Sequence, residues 1–283
     1  MALDPQNTVA FMGVEGTNGD LACRQREPYM HTLPLPNFED VMKAVEEGRA
    51  RYGMIPVENS QAGRVAEIHG LLPKTDLHIV GEHIQRIEHF LCAPKGAAVD
   101  TIRHVYSHPQ ALLQCRTHLR EMNVEMHPHS DTASAAKDVA AWGDPSKAAI
   151  CTKLAAELYG LDILIPNIED AGDNLTVFLV FAREPADPEP EDGRTLTSLL
   201  FELRNIPAAL YKSLGGFATN GVNIIKLESY IKGGGSTESH FFITFEGNPK
   251  SPPVQRALEE LGFFSKKVRV LGVYLADAKR REG

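Results

Sequence analysis

Residues Arg183 to Gly193 read REPADPEPEDG, three prolines and five acidic residues in eleven positions, with almost nothing that a core could use. Each proline removes a backbone donor, and the crowded carboxylates favour solvent, so this stretch is neither an interior strand nor an interior helix. The chain must therefore fold as two separately built units joined by a semi-extended linker. We expect a first unit over residues 6–182, a linker over 183–194 and a second unit over 195–278.

Before the linker, short β-branched runs alternate with helix-period segments, the pattern of an α/β layer with mostly parallel strands. Strands are expected near Val9–Phe11, Tyr52–Val57, Val105–Ser107, Ala148–Cys151 and Leu175–Phe181. Asn37, with Asp40 three residues on, predicts a capped helix that carries Phe38, Val41 and Val45 on one face. Pro109 suits a first helical turn ahead of Ala111, Leu112, Cys115 and Leu119. A further stripe at Leu154, Ala155, Leu158 and Tyr159 closes at Gly160.

After the linker the order becomes β-α-β-β-α-β. Strands are predicted over Leu196–Arg204, Val222–Ile231, His240–Glu246 and Val268–Leu275. One helix follows Pro207 with Leu210, Leu214 and Phe217 on a side, and another carries Val254, Ala257, Leu258 and Leu261. About 80 residues in this order predict a ferredoxin-like module. The Gly233-Gly234-Gly235-Ser236 run between its middle strands reads as a flexible loop, since no lysine and no helix follows it as in a phosphate cradle.

The formal net charge of -8 argues against nucleic acid and anionic membrane as partners, because both select a concentrated basic surface. No basic-then-apolar leader opens the chain and no apolar run approaches the ~18 residues of a membrane span, so a cytoplasmic protein is expected. Cys23, Cys92, Cys115 and Cys151 form no C-x-x-C pair and read as small buried side chains. The eleven histidines include His104, His108, His118, His127 and His129, yet none of their spacings matches a helical or finger-type ligand set. No metal and no cofactor is expected.

Chemistry-bearing residues gather where strands are expected to give way to helices. Gly16-Thr17-Asn18, Glu58-Asn59-Ser60, Ser107-His108-Pro109 and Ser130-Asp131-Thr132 each put a hydroxyl or amide side chain at such a turn. Any one alone reads as an N-cap. Four at the carboxyl ends of strands, where open α/β sheets bind ligands, suit a small anion such as a dicarboxylate.

The same segments resemble, in order, the motifs of prephenate dehydratases. Gly13-Val14-Glu15-Gly16-Thr17 is similar to the family's Gly-Pro-x-Gly-Thr opening, and Ile55-Pro56-Val57-Glu58-Asn59-Ser60 to its Pro-x-Glu-Asn-Ser motif. Ser107-His108-Pro109-Gln110-Ala111-Leu112 with Gln114-Cys115, then Asp131-Thr132-Ala133, continue the series. Thr176-Val177-Phe178 resembles the Thr-Arg-Phe signature, with valine in the arginine's place. Asn205-Ile206-Pro207-Ala208-Ala209-Leu210 and Lys226-Leu227-Glu228-Ser229 are similar to the two ligand segments of ACT domains, the phenylalanine-binding modules of these enzymes, with Ala208 for glycine and Tyr230-Ile231 for Arg-Pro.

The resemblance implies a two-lobed catalytic domain like type 2 periplasmic binding proteins, followed by a ferredoxin-like βαββαβ ACT domain. It implies decarboxylative dehydration of prephenate to phenylpyruvate, feedback by L-phenylalanine, self-association to a dimer or tetramer, and no cofactor. Relatives fused to chorismate mutase carry a helical segment in front, and seven residues before Thr8 suggest a monofunctional enzyme. Thr176, Glu58, Asn59 and Ser60 are the implied catalytic residues. Thr17, Ser107, His108, Thr132, Asn174 and Phe178 are the implied substrate contacts, and Asn205, Pro207, Ala208, Ala209, Leu210, Glu228 and Ser229 the implied effector contacts. Strand alternation turns Val177 away from Thr176 and Phe178. If an arginine at that position is nonetheless needed to hold a carboxylate, Arg24, Arg64, Arg103 and Arg116 are the substitutes. Two alternatives stay open: arogenate dehydratase, or an amino-acid sensor impaired in catalysis by Val177.

Overall fold

The computed structural model describes residues 4–189, 194–231 and 239–280. The chain opens with a parallel trio, β1 (Thr8–Met12) pairing with β2 (His31–Leu35) and with β3 (Tyr52–Asn59) through the crossover helices α1 (Asn18–Arg26) and α2 (Phe38–Glu46). The predicted cap on α2 is formed: Asp40 N donates to Asn37 Oδ1 at 2.7 Å, and Phe38, Val41 and Val45 are buried. β3 hairpins into the two-residue β4 (Gly63–Arg64), and α3 (Ala66–Leu71) leads to β5 (His78–Arg86).

The chain then crosses to a second lobe. There it forms β6 (Phe90–Ala93), β7 (His104–Ser107), α4 (Pro109–Gln114), α5 (Arg116–Glu121), β8 (Glu125–Pro128), α6 (Thr132–Trp142), β9 (Lys147–Cys151), α7 (Lys153–Tyr159) and β10 (Asp162–Ile165). It returns as β11 (Leu175–Ala182), which inserts between β3 and β5, antiparallel to both. The result is two sheets, ordered β2-β1-β3-β11-β5 and β10-β6-β9-β7-β8, joined by the crossings at 87–89 and 166–174.

The expectation of mostly parallel strands is corrected here. Both sheets are mixed, because β11 in the first, and β6 and β10 in the second, run against their neighbours. A buried strand is a continuous apolar run in either direction, so composition carries no sign of orientation. β2, β4, β5, β6, β8 and β10 fall outside the predicted strands. β2 holds Pro34 on an edge strand, and β5 carries the buried polar residues Glu82, His83 and Gln85, so neither shows a strand's usual signature.

The third sheet is antiparallel and has the expected βαββαβ element order: β12 (Thr195–Leu203), α8 (Ala209–Thr219), β13 (Ile224–Ile231), β14 (Ser239–Glu246), α9 (Pro252–Phe264) and β15 (Ser265–Leu275), arranged β13-β14-β12-β15. Leu199, Phe201, Phe241 and Phe245 pack one face against Phe217 of α8 and Leu261 of α9. The other face lies on the first lobe, where Leu196, Leu200, Phe242, Leu271 and Tyr274 share a core with Ile55, Val57, Leu179 and Phe181. At Gly272 the two units touch backbone to backbone, since a Cβ there would fall 1.9 Å from the Ile79 carbonyl oxygen. The Gly233–Ser236 loop lies outside the described residues.

Charged and polar groups line this seam. Arg280 holds the buried Glu82 at 2.6 and 2.7 Å, His69 Nε2 lies 2.5 Å from Glu228, and Lys226 bridges Glu58 at 2.6 Å and Glu228 at 2.7 Å. The described part of the linker is tied down: Asn248 Nδ2 donates to Pro188 O, and Lys250 reaches Asp187 and Glu189. All four cysteines are buried and free. Burial raises the thiol pKa of Cys23 and of Cys115, which leaves both unreactive. Among the described residues no helix is long and apolar enough to cross a membrane.

Candidate active site

A cleft of about 350 Å³ lies between the two lobes. The first lobe contributes Met12, Thr17, Asn18, Met54, Pro56 and Asn59, and the return strand adds Thr176 and Phe178. From the second lobe come His108, Gln114, Asp131 and Thr132, and the two crossings supply Ile87, His89 and Asn174. No lysine or arginine among the described residues lines it. The walls are largely apolar, and a few amides and hydroxyls converge on them, as in many small-molecule sites.

Strand register explains the convergence. Residues directly opposite one another on paired strands share a sheet face, and Thr176 lies opposite both Asn59 of β3 and Gln85 of β5. Asn59 Nδ2 donates to Thr176 Oγ1 at 2.9 Å and to Asn174 Oδ1 at 2.7 Å. Thr176 Oγ1 is thereby an acceptor from Asn59, which leaves its own hydroxyl proton to be directed at a ligand. Asn174 Nδ2 is buried and has no hydrogen-bond partner among the described residues. Gln85 Nε2 donates to Asn18 Oδ1 at 3.1 Å, while Gln85 Oε1 is also buried without a partner among them. Buried amides left unpaired are rare, so their position beside the cleft makes it the candidate binding locus.

Two turns add further groups. At the start of α1, Thr17 caps by backbone alone: its hydroxyl donates to Val14 O, and no side chain of the cap residue occupies the first amides. These amides, at the positive end of the helix, are free for a carboxylate. The start of α6 differs, because the Asp131 carboxylate accepts from Ala133 N and Ser134 N, so that terminus caps itself. Gly16 is where the lobes meet. Its φ of +90° and the 3.0 Å that a Cβ would leave to Ala155 both require glycine, and Thr152 Oγ1 donates to Gly16 O at 2.5 Å.

His89 is 3% exposed, its Nε2 lies 2.8 Å from Gln114 Oε1, and its backbone N–H donates to Glu169. Burial holds this imidazole below its ordinary pKa, partly offset by Gln114 and Glu169, which favours the neutral ring. Neither His89 nor Gln85 is among the residues singled out from sequence. Neither lies at a strand-to-helix turn, and the polar β5 and the crossing after it give no periodic signal.

Of the residues singled out from sequence, the cleft brings together Thr17, Asn59, His108, Thr132, Asn174, Thr176 and Phe178. It does not bring in Glu58, Ser60 or Ser107. Alternation from Asn59 puts Glu58, opposite Val177, on the seam side, where it pairs with Lys226, and the β-bulge at Val57 then returns Pro56, opposite Phe178, to the cleft face. Ser60 Oγ donates to Asp173 O and accepts from Leu175 N, so it stitches the turn to β11. Ser107 is fully buried and donates to Ile150 O. The Glu58-Asn59-Ser60 turn leads into β4, not into a helix. Val177 faces the seam with Glu58, Glu82, Lys226 and Arg280, as alternation requires. None of Arg24, Arg64, Arg103 and Arg116 lines the cleft.

A second cavity of about 500 Å³ opens beside α8, lined by Arg204, Asn205, Ile206, Ala208, Ala209, Leu210, Tyr211, Phe241 and Lys266. Pro207 lies in the same turn. Ala208 caps α8 in the left-handed region at φ 60°, a conformation that costs a non-glycine residue about 1–2 kcal/mol. Ser229 is opposite Phe241 and so shares its face, whereas Glu228 is opposite Phe242 and points to His69 and Lys226. Within one chain Glu228 is thus separated from the other predicted effector contacts.

A family model described as prephenate dehydratase matches residues 9–186. A Komagataeibacter europaeus protein described as a bifunctional N-acyl-homoserine lactone acylase/prephenate dehydratase is 45% identical over 280 residues, covering 99% of this chain and 100% of its own length. An Arabidopsis thaliana chloroplastic protein described as arogenate dehydratase/prephenate dehydratase 2 is 34% identical over 95% of this chain and 73% of its own. Among solved structures, a prephenate dehydratase from Arthrobacter aurescens in complex with L-Phe superposes with a TM-score of 0.87 at 30% identity, covering 98% of this chain and 92% of that one.

Proposed function

The chain belongs to the prephenate dehydratase family and is a lyase, and from that premise we propose that it converts prephenate to phenylpyruvate in the cleft around Thr176. Prephenate loses its ring carboxylate as CO2 and its C4 hydroxyl as water, and aromatisation drives the reaction. Hydroxide leaves poorly, so a donor must meet that hydroxyl as its bond to carbon breaks. The observation that carries the reading is the Asn59–Thr176 hydrogen bond of 2.9 Å, which orients the threonine hydroxyl with its proton free. Thr176 donates a hydrogen bond to the departing oxygen and relays to it a proton from solvent, since a threonine is too weak an acid to release a free proton, while the electron pair of the breaking C–CO2 bond enters the ring.

The other side chains then have assignable tasks. The uncapped amides of α1 with Thr17, and the unpaired Asn174 Nδ2, hold the pyruvyl carboxylate. Met12, Met54, Pro56, Ile87 and Phe178 surround the ring and solvate the departing carboxylate poorly, which favours its loss as neutral CO2. Asn59, Asn174, Thr176, His108 and Thr132 are kept as site residues; Glu58, Ser60 and Ser107 act from outside the cleft.

The unit over 195–278 is proposed as an ACT domain that binds phenylalanine, the compound with which the Arthrobacter aurescens enzyme forms its complex. Coupling has a physical route. Glu228 and Lys226 of β13 reach His69 and Glu58, and Glu58 is the neighbour of Asn59 on β3. The protein is proposed as a cytoplasmic homo-oligomer, with the catalytic unit over 6–182 and the linker over 183–194.

Purified protein incubated with prephenate, and in parallel with arogenate, tests the reading by following phenylpyruvate and phenylalanine respectively. Turnover of prephenate supports it; turnover of arogenate alone makes the chain an arogenate dehydratase. Turnover of neither, with phenylalanine binding by calorimetry, leaves the sensor reading. An N-acyl-homoserine lactone arm is included because the Komagataeibacter relative is described as an acylase as well, and the apolar cleft wall has the chemistry to hold an acyl chain.

A further inference from the structure

We propose that His104, Glu125 and His127 form a binding site for a late first-row divalent cation of the zinc type, separate from the cleft. His104 Nδ1 lies 3.1 Å from His127 Nε2, and Glu125 Oε2 lies 3.2 Å from the first and 3.6 Å from the second. Ligands held about 2.0–2.1 Å from a tetrahedral Zn²⁺ are separated by roughly 3.3–3.4 Å along each edge. The three atoms therefore already approximate one face of that tetrahedron. A cation on this face keeps its fourth position toward solvent, and two imidazoles with one carboxylate select zinc-like ions over Mg²⁺ or Ca²⁺, which take oxygen ligands.

The scaffold brings the ligands together by strand pairing. β7 and β8 pair in parallel with His104 opposite Glu125 and Tyr106 opposite His127. The His127 ring stacks on Tyr106 at 4.6 Å, and Trp142 of α6 meets Tyr106 edge-on. Two of the ligands come from β8, the edge strand of its sheet, so the ion braces that strand to β7. His104 opens β7, and His108, at the other end of it, lines the cleft. At ~3.3 Å of rise per residue the two positions are more than about 10 Å apart.

The proposal departs from the expectation drawn from histidine spacing. Strand pairing, which histidine spacing along the chain does not register, is what makes the two histidines and the glutamate a cluster.

Zn²⁺ titrated calorimetrically into the intact protein at about pH 7.5 tests the proposal, with His104→Ala/His127→Ala and Glu125→Gln alongside and circular dichroism to verify that each is folded. One site is expected in the wild type, lost in the double variant and weakened ~10-fold or more in Glu125→Gln, since removing a direct ligand costs no less than removing a partner behind one. Saturating Zn²⁺ should also raise the wild-type Tm and leave that of the double variant unchanged. Equal binding to wild type and double variant, or no wild-type binding, overturns the proposal; the three side chains are then a proton-sharing hydrogen-bonded cluster.

Discussion

Asn59 Nδ2 donates to Thr176 Oγ1 across paired strands, so the hydroxyl's accepting capacity is engaged by a fixed amide and its proton direction is set from behind. The same amide nitrogen also holds Asn174 Oδ1 and so fixes two groups at once. Asn59→Ala should lower kcat by about 10- to 100-fold, the scale of a lost oriented hydrogen bond, and raise KM moderately as Asn174 loosens. Combined with Thr176→Ala, the losses should be far from additive, since the two residues act as one unit. Steady-state kinetics of the single and double variants on prephenate check this, and strictly additive losses would separate the two residues.

Val177 tests the seam. Its side chain faces Glu58, Glu82, Lys226 and Arg280, so an arginine there meets two carboxylates and two cations, with little net electrostatic gain. Val177→Arg should change kcat/KM by less than about 10-fold, while shifting Tm through repacking of the seam. A rise of several orders of magnitude in kcat/KM instead makes the valine a catalytic lesion.

Acid should destabilise the fold before its carboxylates titrate. Burial pushes the pKa of His69, His83 and His89 down, partly opposed by Glu228, Asp277 and Gln114 respectively. The unfolded chain takes up these protons near pH ~6.5, so their contribution is whole above that value and is lost as pH falls toward the lower folded values. Tm measured calorimetrically should be flat above about pH 7 and fall between about pH 6.5 and 5, with a shallower slope in His83→Gln. A Tm that rises over that interval contradicts the assignment.

Much of the site is legible in the sequence because its residues stand at the ends of apolar strands, where polarity interrupts a pattern. Asn59 and Thr176 stand out that way, while Thr17 and Thr132 stand at helix starts, and all four line the cleft. Glu58 lies on the seam side because strand alternation turns it away from Asn59, which a motif match does not register. Gln85, His83 and Glu82 are invisible because buried polar side chains that serve the seam and the site interrupt the apolar pattern of β5. The division of the first unit into two sheets is likewise unreadable from periodicity, since both lobes alternate strand and helix in the same way. In the last 90 or so residues the element order is readable, because each helix there carries a clean apolar stripe and the strands between them are long.

The most direct test of the account is the turnover of prephenate by Thr176→Ala. The threonine touches only the departing hydroxyl in this mechanism, while Asn174, Thr17 and the apolar walls bind the rest of the substrate. A folded Thr176→Ala protein should therefore keep KM near the wild-type value and lose ~100-fold or more in kcat. Near-wild-type kcat in that variant removes Thr176 from the chemistry and contradicts the account.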